Sequence, residues 1–577
     1  MKVCAFLVRT SCAFLVRTSK LGALPTTLYF GTTMEKILTP QALWSDFNPN
    51  AEQLEINVVD TFETADVIVR RLYFTGRNFQ SGNKTRVFAT LCTKKTGVSK
   101  RGMIVVDDYK KPLNLDELVY WTKKGFSTIG IDYAGRCQTG FCTIYPKELT
   151  YCNALDAKDV FHIEDSAKNT KLYQYALNTM RAISVLKEFV ATTTISVLTV
   201  GKGSLVGNIV LGQDKRVTNG IVVFGDLYLD YAYERSFSVD KVNSEELKSH
   251  LLSDEKKQMW VAGLSPQSNV VNISVPIYAI CSGNSHYVRV QDTCHTFTRI
   301  QNKQSRILIL PRVLDYLPEE YCKCIVRWCK GEQVENDIAI SSDDGGNTIK
   351  VKTEIPQEKL SLWYCRNIGA NTNHWVSAKL SAGDGCYVAT PKHFQKKGSL
   401  SVFVMAETPV AMCTPIVEIA VENAQKVGIA NSILYSNGME ERFVSAFRDA
   451  SWHGDFAPVV AKKGYLDIVG AQGTQFLTFA LHDSCLKYTK PITATFDVCC
   501  DTKQQLLLTV VCGFGTDNVS YQQAVELDGL GKWQRITVDF TNFRRVSDGR
   551  LISPDSQVDL LGFHAQSKFI INNIFLV

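Results

Sequence analysis

The stretch ISVLTVGKGSLVGNIVLG, residues 195–212, decides the fold class of this chain. Its first six residues are rich in β-branched side chains, which is typical of a buried strand. Gly201 and Gly203 mark a turn, and the apolar residues after them recur at helical spacing. The stretch therefore predicts a strand, a tight turn and a helix in immediate succession.

The same alternation extends on both sides of this stretch, over about residues 34–332. The predicted strands are LEINVV (54–59), DVIVRRLYF (66–74), TRVFATLCT (85–93), RGMIVVDDY (101–109), FSTIGIDYAG (126–135), NGIVVFGD (219–226), VPIYAICSGN (275–284) and SRILILPR (305–312). Helices are predicted over LNLDELVYWTKKG (113–125) and LYQYALNTMRAISVLKEFV (172–190). Antiparallel strands followed by strand–helix–strand units indicate a mostly parallel sheet covered by helices.

Two β-rich blocks follow, and they predict a multidomain chain. Residues 333–426 contain short strands such as KLSLWYCR (359–366) and SLSVFVMAE (399–407), which indicate a small β-sandwich. Residues 427–577 contain a second series, from YLDIVG (465–470) through ITATFDVCC (492–500), LLLTVVCGFG (506–515) and WQRITVDF (533–540) to FIINNIFLV (569–577). Each block is long enough to form its own apolar core.

Composition excludes several classes of protein. The chain has 577 residues, of which 45% are hydrophobic and 21% charged, and this is a globular composition. The 63 basic and 57 acidic residues give a net charge of +6, which is too weak and too dispersed for a dedicated nucleic-acid binder. No apolar run reaches the roughly 18 residues of a membrane span, so we expect no membrane partner. The 18 cysteines are scattered in a chain too long to need disulfides, so we expect reduced thiols and a cytoplasmic location.

The N-terminus carries a short tandem repeat. The octapeptide CAFLVRTS occurs at residues 4–11 and again at 12–19. Arginine interrupts each apolar core, whereas a secretory signal needs about 7–15 uninterrupted apolar residues. We expect residues 1–33 to be a disordered extension, or translated upstream sequence with Met34 as the working start.

The turn at residues 201–205 is the candidate catalytic motif. A nucleophile elbow reads G-x-S-x-G, because small flanking residues permit the strained turn that exposes the serine. Here the five residues are GKGSL, which places Gly203 at the central position and Ser204 one residue late. The alternative is a plain connection between strand and helix, and the phosphate-binding motif G-x-x-x-x-G-K-[ST] is not satisfied.

The run VVDDYKKPLNLDELVYWTKKGFSTIGIDYAGR, residues 105–136, resembles the acetyl xylan esterase and cephalosporin-C deacetylase family, including bacterial-type relatives. The resemblance implies an α/β hydrolase fold and the removal of acetyl groups. The family's first such strand ends in His-Gly-Tyr, whose backbone helps to build the oxyanion hole. Asp107, Asp108 and Tyr109 stand there. The resemblance implies that Tyr109 and Ser204 would supply the oxyanion site.

The same resemblance locates the other two members of the triad. The family's acid falls at about Ser285, and the first aspartate after that point is Asp292. The family's histidine falls in the loop at 313–316, which contains none. If the chain is active, Ser204 would act with His286 or, as an alternative, His295. Otherwise the parts of the acyl-enzyme route are missing.

Asp107 and Asp108 also form a candidate ligand site of their own. Paired acids at the carboxyl end of a parallel strand can bind a ligand or a metal, or act as acid and base. The alternative is a solvated turn, because adjacent residues on a strand point to opposite faces.

Metal and cofactor sites are not predicted. Cys322, Cys324 and Cys329 lie in YCKCIVRWCK, which has helical character, and residues two apart on a helix do not converge. We expect structural cysteines, reduced thiols, no metal and no cofactor.

The C-terminal block resembles jelly-roll domains of the galactose-binding type. The resemblance rests on WQRITVDF and on the final Ile571-Asn-Asn-Ile574 segment. Such domains stack aromatic side chains on sugar rings. Trp452 with His453 is the favoured ligand-binding pair, Phe543 is a further candidate, and Trp533 is expected to lie in the core.

We therefore predict an α/β hydrolase fold, a β-sandwich and a jelly roll. The leading function is a catalytically degenerate relative of carbohydrate esterases that binds a carbohydrate or an acetylated small molecule. The alternatives are an active ester hydrolase using Ser204 and a purely structural protein that forms a homo-oligomer.

Overall fold

The computed structural model describes most of the chain beyond the N-terminus. The described residues are 39–64, 66–109, 111–133, 140–153, 163, 166–225, 254–283, 290–311, 317–332, 337–366, 375–391, 398–422, 433–435, 452–454, 457–460, 469–478, 481, 493–513, 519–553, 556 and 558–576. The predicted N-terminal extension therefore lies outside the described residues.

The first part of the chain alternates strands and helices as the sequence predicts. Its strands are β1 (Asn57–Thr64), β2 (Val67–Asn78), β3 (Lys84–Lys94), β4 (Arg101–Val106), β5 (Ser127–Ile131), β6 (Thr194–Val200), β7 (Asn219–Val223), β8 (Ile277–Ser282) and β9 (Arg306–Leu310). Its helices are α1 (Pro40–Trp44), α2 (Leu115–Lys123), α3 (Lys171–Phe189), α4 (Gly203–Gln213), α5 (Asp254–Leu264), α6 (Pro266–Val270), α7 (Val290–Phe297) and α8 (Glu319–Cys329).

These strands form one sheet in the order β1-β2-β3-β5-β4-β6-β7-β8-β9. Strands β1, β2, β3 and β5 pair antiparallel, whereas β5, β4, β6, β7, β8 and β9 pair parallel. The mostly parallel α/β sheet predicted from the sequence is confirmed. Strands β5, β7 and β8 are buried along their whole length, because helices cover both faces of a parallel sheet.

Local sequence signals begin the helices that flank the candidate site. The Asn114 side chain accepts a hydrogen bond from the amide of Glu117 and caps α2. Thr170 caps α3 in the same way, by accepting from the amide of Tyr173. The α4 helix begins at Gly203 without a side-chain cap, and it is buried from Gly203 to Gly212.

The large sheet does not end with the α/β region. The next strands are β10 (Ala339–Asp343), β11 (Thr348–Lys352), β12 (Leu360–Arg366), β13 (Val376–Ala378), β14 (Ser381–Ala382), β15 (Tyr387–Ala389), β16 (Gly398–Ala406), β17 (Met412–Cys413) and β18 (Val417–Val421). Strand β17 pairs antiparallel with β9, and β16, β12 and β13 continue the same sheet. A four-stranded sheet, β10-β11-β15-β14, shares an apolar core with β12, β16 and β18, as expected for a sandwich.

The C-terminal strands form a third, antiparallel system with its own core. They are β19 (Ile433–Tyr435), β20 (Trp452–Gly454), β21 (Ala457–Val460), β22 (Val469–Thr478), β23 (Thr493–Cys499), β24 (Gln504–Cys512), β25 (Val519–Leu527), β26 (Trp533–Asp539), β27 (Arg544–Arg545) and β28 (Val558–Leu576). The sequence also predicts a strand at VDLLGFHA, residues 558–565, and the structure joins it to the predicted strand that begins at Phe569 in one continuous strand, β28. The β25 strand was not predicted. Within the described part of the chain, no helix combines the length and apolar character needed to cross a bilayer.

Candidate functional site

The turn between β6 and α4 differs in register from the sequence-based expectation. Gly201 has a φ of 51°, in the left-handed region, and its amide donates a 3.0 Å hydrogen bond to the carbonyl oxygen of Val223. A nucleophile elbow carries its nucleophile on the sharp turn between strand and helix. The left-handed apex of this turn is therefore Gly201, two residues before Gly203, which the sequence analysis placed at the central position.

Gly203 has a packing role instead. A Cβ atom at this position would lie 2.2 Å from the carbonyl oxygen of Val106 and 2.6 Å from that of Asp107. A Cβ atom at Gly201 would meet no heavy atom within 4 Å. The first turn of α4 thus passes directly over the end of β4, and only glycine fits at the contact. The spacing of two glycines could have revealed this, because close packing of helix on strand needs a small residue two positions after the apex.

Ser204 lies in the first turn of α4 and is fully buried. Its amide donates to the carbonyl oxygen of Gly201 at 3.1 Å, so this predicted oxyanion donor is engaged within the turn. Gly225, just beyond β7, packs on the same side chain, since a Cβ there would lie 2.8 Å from Ser204 Oγ. The serine therefore lies between α4 and the chain that follows β7.

The predicted partners of Ser204 are mostly outside the described residues. His286, the position of Ser285 and the loop at 313–316 belong to that undescribed part of the chain, as does the side chain of Asp292. His295 lies on α7 and is exposed to solvent. The pairing of Ser204 with His286 stays a prediction.

Tyr109, the other predicted oxyanion residue, is 5% exposed and belongs to an aromatic cluster. Its ring lies 5.8 Å from the ring of Tyr175, which in turn lies 5.3 Å from that of Tyr133. The Tyr133 hydroxyl lies 2.8 Å from the Thr179 hydroxyl. Aromatic side chains on α3 and at the ends of β4 and β5 thus pack together beside the candidate site.

Asp107 and Asp108 line a small cleft between the end of β4 and the start of α2. The amide of Asp108 donates to Asp107 Oδ1 at 2.7 Å, and the amide of Lys111 donates to the carbonyl oxygen of Asp108 at 2.8 Å. The cleft is lined by Val105, Asp107, Asp108, Lys111, Pro112, Leu113, Asn114, Glu117, Leu118, Gly130, Ile131 and Tyr133. The two aspartates thus form a hydrogen-bonded turn, and both also face the cleft.

Glu117 is the residue of this cleft that the sequence did not single out. Burial, and second to it the negative charge of Asp107, raise the pKa of its carboxyl group to about 7. A hydrogen bond with Trp121 and the charge of Lys111 oppose the shift. A carboxyl group that titrates near neutral pH can give or take a proton at physiological pH. The sequence could have indicated this residue, because Glu117 lies in the first turn of the helix that follows Asp107 and Asp108.

The cysteine-rich segment forms the predicted helix, α8. Cys322, Cys324 and Cys329 are buried and carry free thiols. Burial raises the pKa of Cys329 to about 12, which keeps this thiol protonated and a poor metal ligand. Among the described residues, no group of three or more potential ligands could hold a metal ion.

The aromatic candidates of the C-terminal region fall into three environments. Trp452 and His453 belong to β20, which pairs with β22, and their side chains lie outside the described part of the structure. Phe543 is fully buried and packs against Phe540 at 5.2 Å, so it is a core residue. Trp533 is only half-buried, and its strand turns it away from the core, contrary to the expectation.

Solved structures of esterases show a low similarity to about half of this chain. An acetyl xylan esterase from a Thermoanaerobacterium species shares 13% identity over 48% of this chain and 88% of that chain, with a TM-score of 0.36. An acetyl xylan esterase from a Paenibacillus species shares 14% identity over 49% and 90%, with a TM-score of 0.38. An esterase of Pyrococcus furiosus shares 12% identity over 49% and 99%, with a TM-score of 0.32. No family model and no curated protein matches the chain.

Proposed function

We propose that this chain is a diverged protein of the α/β hydrolase fold that lacks the serine route to ester cleavage and binds a glycan. One observation carries the first half of the proposal. The apex of the turn between β6 and α4 is Gly201, which has no side chain to act as a nucleophile.

The geometry around Ser204 supports the same conclusion. A nucleophile must present its oxygen to the substrate and to a base within about 3 Å. Ser204 instead follows the apex by three residues and is fully buried. An active enzyme using Ser204 would need this turn to reorganise.

Glycan binding is supported by the C-terminal region. It is an antiparallel β structure with its own apolar core, and it resembles sugar-binding jelly rolls in sequence. Such domains bind sugars by aromatic stacking and hydrogen bonds to hydroxyls. The ligand would be a carbohydrate or an acetylated small molecule.

The catalytic half can be tested with the purified full-length protein and 4-methylumbelliferyl acetate. A fluorophosphonate probe, followed by mass spectrometry, would locate any reactive serine. We expect no turnover above background and no labelled serine. Turnover and labelling that are both lost in Ser204→Ala would instead establish the active hydrolase. Gln213→Ala, at the far end of the same helix, serves as a matched control for effects on α4.

A further inference from the structure

The cleft between β4 and α2 combines apolar side chains with carboxyl groups at the carboxyl ends of two neighbouring parallel strands, β4 and β5. A Cβ atom at Gly130 would lie 3.3 Å from the side chains of both Leu113 and Leu118, so these leucines pack on β5. Val105 and Ile131 add to the apolar part of the lining. Open α/β sheets bind their ligands at this end of the strands.

Two carboxyl groups face the cleft from different elements. Asp107 directly follows β4, and Glu117 lies in the first turn of α2. Asp108 and Lys111 also line the cleft, but the charge of Lys111 acts on Glu117 without a hydrogen bond. Among the described residues, neither Asp107 nor Glu117 forms an ion pair. The two groups therefore lack a cation in direct contact.

A proton takes the place of that cation. Burial first, and then the charge of Asp107, raise the pKa of Glu117 to about 7. A hydrogen bond with Trp121 opposes the shift, and Tyr133 lines the cleft from the end of β5. From α8, Cys322 also faces Glu117, since burial raises the pKa of its thiol and the charge of Glu117 adds to that rise. None of these neighbours supplies a positive charge to the carboxyl pair.

The lining of the cleft selects among the cations that could replace the proton. Within the part of the chain that the structure describes, no three potential ligands are arranged to hold a metal ion, which argues against a divalent cation. The apolar side chains suit an aliphatic stem, and the small size of the cleft favours a compact head group. An ammonium group is compact and carries three donors for carboxylate oxygens.

We propose that this cleft binds the ammonium group of a small aliphatic amine between Asp107 and Glu117, with the carbon chain of the amine against Leu113 and Leu118. On binding, the carboxyl group of Glu117 releases its proton to solvent, and the resulting carboxylate pairs with the ammonium, which keeps its own protons. The inference concerns the α/β region and does not depend on the proposed glycan function.

The test is isothermal titration of the full-length protein at pH 6 with n-butylammonium chloride. The neutral probe is 1-butanol, which has the same carbon chain, and calcium chloride is the metal probe. We expect the amine to bind at least about tenfold more tightly than the alcohol, because the hydrogen bonds to the carboxylates are charge-assisted. Titration in cacodylate and in MES, which differ in their enthalpies of ionisation, measures proton release, and we expect about one proton per bound amine.

Variants of the cleft separate direct binding from effects on the fold. Asp107→Asn and Glu117→Gln should each weaken amine binding about tenfold, and Glu117→Gln should also abolish the proton release. Lys111→Gln should tighten binding about two- to threefold, because it removes a like charge, whereas a merely structural role would not predict this. Asp116→Asn, which removes an exposed acid of the same helix outside the cleft, is the matched control. Thermal melting shows whether each variant retains the fold.

Each outcome supports or overturns the proposal. Amine binding with proton release, weakened in both carboxyl variants and unchanged in Asp116→Asn, supports it. Absence of amine binding to the wild type overturns it, as does an affinity that Asp107→Asn and Glu117→Gln leave unchanged. Equal binding of 1-butanol would reduce the cleft to an apolar site, and tighter binding of calcium that depends on the same two carboxyl groups would replace the amine by a metal ion.

Discussion

At the scale of single residues, Gly201 and Gly203 have opposite requirements although they are two positions apart. Gly201 needs a left-handed backbone but has open space for a side chain. Gly203 lacks a left-handed φ, and it has no space because the carbonyl oxygen of Val106 occupies it. Backbone conformation therefore restricts the residue type at position 201, and packing restricts it at position 203.

This difference predicts the effects of alanine at the two positions. Gly203→Ala should lower the free energy of unfolding by about 3 kcal/mol, because backbone atoms cannot move aside as a side chain can. Gly201→Ala should cost about 1–2 kcal/mol, the penalty of a left-handed alanine. Urea denaturation of both variants compares the two losses in the free energy of unfolding, and a larger loss for Gly201→Ala would contradict the close packing assigned to Gly203.

Glu117 predicts a pH-dependent stability. Its carboxyl pKa is near 4.5 in an unfolded chain and about 7 in the folded protein. Between these values the folded state holds a proton that the unfolded state has released. The contribution of this protonated carboxyl group to the free energy of unfolding is therefore complete below about pH 4.5, and it is lost as the pH rises through 7.

The test of this prediction is Glu117→Gln, which mimics the protonated carboxyl group. The free energy of unfolding of Glu117→Gln minus that of the wild type should be larger at pH 8.5 than at pH 5, by on the order of 1–2 kcal/mol. Thermal or urea unfolding at the two pH values provides the comparison. Asp116→Asn removes an exposed acid from the same turn and serves as the control. An identical pH profile for Glu117→Gln and the wild type would refute the raised pKa of this partly buried carboxyl group.

At the scale of elements, α3 depends on a buried cap at its start. The Thr170 hydroxyl accepts from the amide of Tyr173 at 3.1 Å and donates to the carbonyl oxygen of Ala167 at 2.8 Å. Because this helix lies against α4 and against β2, β4 and β5, its first turn helps to position the aromatic cluster beside the site.

We expect Thr170→Ala to lower the free energy of unfolding by about 1 kcal/mol, whereas Thr170→Ser, which keeps the hydroxyl, should cost less than half of that. Chemical denaturation of the two variants tests the cap. Equal losses for serine and alanine would assign the effect to the methyl group and not to the hydrogen bonds.

At the scale of the whole molecule, the α/β region and the following β-sandwich are continuous. Their shared apolar cluster contains Trp375, Phe403 and Cys413 together with the α/β core. The Tyr278 hydroxyl donates to the carbonyl oxygen of Ala411 at 2.7 Å, and Trp375 Nε1 donates to that of Gly283 at 3.0 Å. The sheet and the apolar core thus both continue across the domain boundary that the sequence predicted near residue 333.

A chain that ends at residue 332 should therefore be unstable. It would lose β17, expose the edge of β9 and uncover part of the apolar cluster, which favours aggregation. A chain that ends at residue 426 keeps these contacts and is the control. Comparison of soluble yield and melting temperature tests the prediction, and a fully stable chain ending at residue 332 would contradict it.

The sequence alone determined the local order of elements in the α/β region. Alternating strand and helix patterns gave the parallel strands, since apolar periodicity and glycine turns are local properties. The helix of the three clustered cysteines, Cys322, Cys324 and Cys329, was predicted for the same reason.

Only the tertiary structure decided which residues meet. The close packing at Gly203 was not foreseen, because it depends on the end of β4, which is remote in sequence. The pKa of Glu117 is raised by burial and by the charge of Asp107, and neither is encoded in the local pattern. Trp533 turned from core to outer face because pairing of β26 with β23 sets which alternate residues point inward. Periodicity is a property of one segment, whereas register, burial and electrostatic shifts arise only when distant segments pack together.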